Sequence, residues 1–217
     1  MKFRLKLKSN NVFYEDEFKK LEIGIRGERI KKVGENIGES EEVIDLGERL
    51  VLPGVIDGHV HFRDPGSPEK EDFRSGSEAA AAGGVTTVVD MPNNKPPIKS
   101  RQLFEKKKEI ARRKTLVNFA LYAGIPESIS QLGEILNSGA IGFKYYMATE
   151  ELELPELYRE VERLNALLTV HAETPEEIDG DKNPANPEEY LDTRPDEAEL
   201  EGVRRLLNDS PNRLHVA

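Results

Sequence analysis

Residues 54–66 read Gly54-Val55-Ile56-Asp57-Gly58-His59-Val60-His61-Phe62-Arg63-Asp64-Pro65-Gly66. The run that leads into them, Leu50-Val51-Leu52-Pro53-Gly54-Val55-Ile56, is apolar and then turns polar. That pattern predicts a buried strand from Val51 to His61 that delivers polar side chains at its C-terminal end. Side chains alternate along a strand, so Asp57, His59, His61 and Arg63 share one face. Two imidazoles two residues apart on one face can hold the same ion, because neutral imidazole is a common ligand for borderline metals. Arg63, just beyond them, is placed to hold a carboxylate through two parallel hydrogen bonds. With four histidines in the chain, an HxH pair taken alone is short enough to arise by chance. Its surroundings add weight: Pro-Gly ahead of the strand, Asp57 two residues before the first histidine, and Arg-Asp-Pro-Gly after the second.

From residue 51 onward, strand-like and helix-like segments alternate, the pattern of a parallel sheet with crossover helices. Helices are predicted near Phe73–Ala82, ended by Gly83-Gly84, then from a Ser100 cap through Arg113, and over Ser128–Asn137, Leu154–Leu164 and Asp196–Asn208. The intervening strands are Val85–Met91, Leu116–Tyr122, Ala140–Met147, Leu167–His171 and Arg213–Ala217, giving six strands with the first. Residues 174–195 are rich in Pro, Asp, Asn and Glu without periodicity and read as a long loop. Ahead of residue 51, Phe3–Lys8, Leu21–Ile25, Arg29–Val33 and Glu42–Leu46 alternate, with a turn signal at Asn10-Asn11. These predict a small antiparallel β unit whose apolar content is thin for independent folding. The expected division is therefore residues 1–50 and residues 51–217.

Three further positions stand out. Met91-Pro92-Asn93-Asn94-Lys95-Pro96-Pro97 holds Asn93 at a rigid, extended strand exit, where it also reads as a simple turn asparagine. Gly142-Phe143-Lys144-Tyr145-Tyr146-Met147 puts Lys144 inside an otherwise apolar strand, where a lysine must be paired, neutral or modified, or must snorkel to the surface. His171 ends a strand in Val170-His171-Ala172-Glu173, as a ligand or as a satisfied core histidine. All fall at C-terminal strand ends, where barrel active sites sit, although an open βαβ sheet also accommodates them.

These segments together carry a resemblance. The HxH block resembles the first barrel strand of the amidohydrolase superfamily, and His61-Phe62-Arg63-Asp64-Pro65-Gly66 resembles the dihydroorotases in particular. Met91-Pro92-Asn93 resembles the dihydroorotase motif whose Asn contacts the substrate carboxylate. Gly142-Phe143-Lys144 resembles the branch in which this lysine is N-carboxylated and bridges two metals; other dihydroorotases carry aspartate there, and this sequence departs from them. His171-Ala172-Glu173 resembles the next metal ligand, and Arg194–Glu199 resembles an RPxxAE segment to which we assign a structural role. Leu214-His215-Val216-Ala217 resembles a strand-six LHVAH segment whose second His is a ligand, one position past Ala217. Alternation puts His215 on the opposite face from that position, so it is not expected to substitute.

The resemblance implies an α/β fold: a (β/α)8 TIM barrel of amidohydrolase type, incomplete here at about six strands and preceded by a small N-terminal β-sandwich segment. It implies His59, His61, Lys144 and His171 as metal ligands for two divalent ions, zinc being the expected metal, with CO2 or bicarbonate to carboxylate Lys144. Arg63 and Asn93 would bind the substrate. The implied reaction is the reversible cyclisation of N-carbamoyl-L-aspartate to dihydroorotate in pyrimidine biosynthesis. The family's general-base Asp ends strand eight, so no catalytic base is expected within residues 1–217, and the chain alone is expected to be inactive. A truncated protein, a partly seen one and a natural half-barrel all fit. Implied partners are a second copy of the chain or aspartate carbamoyltransferase. Two alternatives stand: an allantoinase or hydantoinase, whose substrates have less use for Arg63 and Asn93, and a non-catalytic scaffold for aspartate carbamoyltransferase, against which the intact ligand positions argue.

Composition sets outer bounds. The chain has 217 residues and a formal net charge of −10, with a sequence pI of about 5.1, which leaves no basic surplus for a nucleic-acid backbone. Cysteine is absent, so no disulfide framework exists, as expected of a reducing, cytoplasmic setting. No apolar run reaches membrane-span length, and the N-terminus lacks a signal-peptide core, so no membrane association is expected.

Overall fold

Two units, Met1–Gly54 and Val55–Ala217, divide the chain. The computed structural model describes residues 2–150, 154–180, 182–208 and 211–217.

The first unit is one five-stranded sheet. Its strands are β1 (Phe3–Tyr14), β2 (Glu17–Arg26), β3 (Arg29–Gly34), β4 (Ser40–Asp45) and β5 (Leu50–Val51), in the order β3-β2-β1-β4, with β5 also on β1. The β1–β2 hairpin turns on Glu15 and Asp16, at φ 51° and 62°, the two-residue geometry whose twist matches the flanking strands. The predicted all-antiparallel arrangement is corrected: β4 and β5 run parallel to β1. Asn10-Asn11 is not a turn either. It lies inside β1 at a register shift between Ser9 and Val12, where the Asn10 N–H donates to the Gly47 carbonyl and the Asn11 N–H to the Ser9 hydroxyl. Those bonds replace the missing ladder pairs, so the strand bulges and continues.

The second unit alternates throughout. Strands β6 (Val55–Val60), β7 (Val85–Asp90), β8 (Asn118–Gly124), β9 (Gly142–Tyr146), β10 (Leu167–His171) and β11 (Leu214–Val216) are all parallel. Helices α1 (Phe73–Ala82), α2 (Arg101–Lys114), α3 (Leu132–Asn137), α4 (Leu154–Arg163), α5 (Pro187–Asp192) and α6 (Asp196–Asn208) fall between them. The spatial order of strands equals their chain order. A doubly wound sheet reverses direction at a switch point, whereas a barrel advances one strand at a time. This is therefore the winding of a (β/α) barrel, carried through six strands. No helix among the described residues is long and apolar enough to cross a membrane.

Alternation assigns the faces. Val88, Leu121, Ala123, Phe143, Tyr145, Leu168 and Val170 pack with Phe73, Phe104, Leu132, Leu157 and Leu206 of the helices in one core. The residues between them project to the other face, where Val89, Met91 and Tyr122 form a separate cluster and Lys144, Thr169 and His171 follow in step. We call this the inner face.

Two boundaries differ from expectation. Leu50 and Val51 pair with β1, and after Pro53-Gly54 the ligand-bearing strand begins at Val55. Within the predicted 174–195 loop, a 3₁₀ turn at Pro175–Glu177 and helix α5 form. Asn186 caps α5 by accepting from the Glu189 N–H, with Pro187 at the first helical position and acidic residues in the first turn. Asn-Pro-Glu-Glu was the available signal. Residue 181 of that stretch lies outside the described residues.

The loops leaving β6 and β7 touch each other. Gly66 adopts φ 118°, and a Cβ there would sit 2.6 Å from the Lys95 carbonyl oxygen. Only glycine meets both demands. Gly66→Ala should therefore destabilise the protein by roughly 1–3 kcal/mol. Gly83→Ala, at the end of α1 with an ordinary φ of −83° and no contact closer than 3.5 Å, should stay within about 0.5 kcal/mol. Urea unfolding of both variants checks the contrast.

Candidate metal centre

Strand β6 delivers His59 and, one residue past its end, His61, onto the inner face. The Asp57 carboxylate accepts the His59 backbone N–H at 3.1 Å and fixes the strand exit. The two Nε2 atoms meet at 3.1 Å. His61 Nδ1 lies 2.7 Å from Asn93 Oδ1. An amide oxygen can only accept, so His61 carries its proton on Nδ1 and presents a bare Nε2. Both imidazoles are held below their ordinary pKa. Burial is the main cause for each, and the charge of Lys144 adds to it; Arg63 and Lys107 further depress His61, and the Asn93 bond opposes. Neutral imidazole is the metal-binding form.

Lys144 extends from β9 and is 1% exposed. Its Nζ reaches the Ala217 carbonyl at 3.4 Å and lies 5.5 Å from the Tyr146 ring centre. No carboxylate pairs with it among the described residues. Burial pulls its pKa down to about 8. His171, at the end of β10, is half exposed; its Nδ1 shares the Ala217 carbonyl at 3.1 Å, and its Nε2 faces Glu173 at 2.9 Å. Glu173 is in turn paired with Arg194.

Of the residues singled out from the sequence, His59, His61 and Asn93 are thus in direct contact, and Lys144 is near enough to depress both histidines. His171 joins Lys144 through a shared acceptor but is turned toward Glu173. Arg63 has no ion-pair partner among the described residues, and its charge acts on His61 and Tyr146. Among the described residues no three His, Cys, Asp or Glu side chains converge in a metal-holding cluster.

His215 needs correcting. It pairs in register with Thr169, which pairs with Lys144, and its neighbour Leu214 packs into the helix-side core. His215 therefore belongs to the inner face, and its charge acts on His59. The expectation placed it facing away because it counted back from a position beyond Ala217 rather than across the sheet from Lys144.

The residues fit an oxygen-rich anion at the lysine tip. Thr169 and Tyr146, one beside Lys144 and one two residues along, have buried hydroxyls with no hydrogen-bond partner among the described residues. Two orphan donors beside a buried cation suit the anionic oxygens of an N-carboxylated lysine. That group, with three imidazoles, would be a reasonable N/O donor set for paired divalent ions.

The comparisons agree on the fold and its lineage. Residues 50–183 match the model of the amidohydrolase family. The chain belongs to that family. A dihydroorotase of Methanosarcina mazei is 40% identical over 177 residues, covering 77% of this chain and 39% of that protein. An allantoinase of Deinococcus radiodurans is 33% identical over 219 residues, covering 91% of this chain and 49% of that protein. The structure of an L-hydantoinase (dihydropyrimidinase) from Arthrobacter aurescens superimposes with a TM-score of 0.89 at 27% identity, covering 99% of this chain and 52% of that one. The amidohydrolase chain described here spans about half the length, or less, of these relatives.

The Lys144 shift makes a prediction about metal-free protein kept without bicarbonate. The folded state holds the lysine near pH 8, whereas an unfolded lysine titrates near 10.5. Between those values the unfolded chain binds more protons, so stability rises with pH; below about 8 the full cost of the buried ammonium is present. Lys144→Met should stabilise this form at pH 7 by roughly 1–3 kcal/mol and abolish the rise between pH 8 and 10. Denaturant unfolding at both pH values measures it, and equal destabilisation at both would mean that the ammonium is favourably held.

Proposed function

We propose that this chain supplies the metal-binding and carboxylate-binding part of a dihydroorotase, which interconverts N-carbamoyl-L-aspartate and dihydroorotate. One observation carries the reading: His61, bonded to Asn93, also feels the charge of Arg63, a guanidinium without an ion-pair partner among the described residues. Asn93 spends its oxygen on His61, which leaves its NH2 group, two donors, for an anion. A cation and an amide donor pair next to the reacting centre form a receptor for a substrate carboxylate. Dihydroorotate and N-carbamoyl-L-aspartate both carry such a carboxylate, on the carbon next but one to the carbonyl carbon at which the ring opens and closes.

His59, His61, His171 and N-carboxylated Lys144 would hold two divalent ions, zinc being the expected choice, and such ions supply Lewis acidity for amide hydrolysis at neutral pH. The chain's own residues do the rest. Arg63 and Asn93 fix the carboxylate and so orient the ring, Asn93 keeps the His61 tautomer, and the inner-face cluster of Val89, Met91 and Tyr122 gives the site a dry floor. A second copy of the chain, or aspartate carbamoyltransferase, remains the proposed partner.

The allantoinase and hydantoinase relatives favour a second reading, a cyclic amidohydrolase for rings without this carboxylate. Binding of dihydroorotate, allantoin and hydantoin to the protein with zinc and bicarbonate, read by calorimetry, decides between them. Under the dihydroorotase reading, Arg63→Met should weaken dihydroorotate binding by about 10–100-fold, the weight of a charge-assisted contact. Binding of allantoin or hydantoin without dihydroorotate would reverse the assignment.

A further inference from the structure

Helix α2 carries a lysine that the site description leaves unused. Lys107 is completely buried, as is its partner Asp90 at the end of β7. Its Nζ lies 2.6 Å from Asp90 Oδ2, 2.7 Å from the Met91 carbonyl and 2.8 Å from Asn94 Oδ1. The ammonium donates hydrogen bonds to the Met91 carbonyl and Asn94 Oδ1 and is ion-paired with the Asp90 carboxylate. The network continues outward from Asp90 and Asn94. Asp90 Oδ1 accepts the Phe62 backbone N–H at 2.7 Å, and the Asn94 Nδ2 donates to the Pro65 carbonyl at 3.0 Å.

The placement of these ties is specific. Phe62 and Pro65 bracket Arg63, and Met91 and Asn94 bracket Asn93. One ammonium therefore anchors backbone or side-chain groups on both flanks of both members of the proposed carboxylate receptor. About two turns further along α2, Lys114 reaches Asp64 at 2.6 Å and the α1 cap Asp72 at 3.0 Å, bracing the same loop from outside.

We propose that Lys107 is a positioning residue: through Asp90 and Asn94 it locks the loops after β6 and β7 together, and so sets the spacing of Arg63 and Asn93 for the substrate carboxylate. Its role in recognition rests on the carboxylate-binding reading above; the locking itself does not. A lysine serving only to fill the core would not need ties that converge on these two loops.

The test uses two variants. Lys107→Met removes the ammonium at similar volume. The double variant Asp90→Asn, Lys107→Met also removes the carboxylate that would be stranded, while the introduced amide can still accept from Phe62, so it guards against simple misfolding. Hydrogen exchange is followed over residues 61–66 and 91–95, with strands β9 and β10 as internal references. Locking predicts exchange faster by about tenfold or more in the two loops of Lys107→Met, and in 91–95 of the double variant, with β9 and β10 unchanged. Unchanged loops, or a uniform rise across loops and strands, would overturn the proposal. Ligand binding is read in parallel with dihydroorotate and with 5,6-dihydrouracil, the same ring without the carboxylate. Positioning predicts at least a roughly tenfold loss of affinity for dihydroorotate alone. Equal loss for both ligands would refute the positioning role. A wild-type protein that does not prefer dihydroorotate would remove the carboxylate-binding reading, and exchange would then decide the locking by itself.

Discussion

A strand in a parallel sheet roofed by helices has no neutral register. Every second side chain must pack under the helices, and a slip of one residue would send the whole set to the wrong side. In β9 that constraint separates Phe143 and Tyr145, deep in the helix-side core, from Lys144 and Tyr146 on the inner face. Gly142 helps to hold it. A Cβ at Gly142 would lie 2.4 Å from the Leu167 carbonyl, so β9 and β10 approach more closely there than any other residue permits. From that pairing the register runs on, Lys144 opposite Thr169 and Tyr146 opposite His171. The proposed metal ligands of two strands are thus aligned by apolar packing and one missing side chain, not by contacts among themselves.

Two lysines in this unit show what burial of a charge can mean. Lys107 and Lys144 are both almost fully excluded from solvent. Stranding a charge in a protein interior costs several kcal/mol, and hydrogen-bonded pairing recovers most of it. Lys107 has a carboxylate at 2.6 Å and hydrogen bonds to a carbonyl and an amide oxygen; Lys144 has, among the described residues, one carbonyl at 3.4 Å. The first arrangement explains itself as structure. The second is a cost that the fold carries beside two orphan hydroxyls, and uncompensated costs of this kind collect where a site has to receive something.

Much of this was legible in the sequence because strand period and cap chemistry are local. The alternation in the second unit, the Ser100 cap of α2, the Gly83 end of α1 and the bounds of β10 and α6 follow from neighbours within a few residues. So did the placing of His59 and His61 on one face. What escaped depended on distant partners. Asn10-Asn11 has the composition of a turn, and its pairing with Gly47 and Leu50, nearly forty positions away, keeps it in a strand. His215 was assigned by counting along its own strand, whereas its face is set by Thr169 across the ladder. Lys107 is hidden in a helix with six other basic residues, although its position among Leu103, Phe104, Ile110 and Ala111 on one helical stripe marked it as buried.

Relatives with three different ring substrates in their names share this half of the fold. The proposed site divides in the same way. The proposed metal ligands His59, Lys144 and His171 sit on or at the ends of strands whose register the core dictates. The proposed carboxylate-binding residues, Arg63 and Asn93, sit on the two loops beyond β6 and β7, and loops tolerate sequence change better than strands do. Loops free to vary are also free to move, and a carboxylate receptor built across two of them needs its spacing fixed from outside. In the arrangement proposed above, helix α2 meets that need through Lys107, which by way of Asp90 and Asn94 reaches groups in both loops. Specificity would then change by altering what the loops present, while the brace and the strands stay as they are.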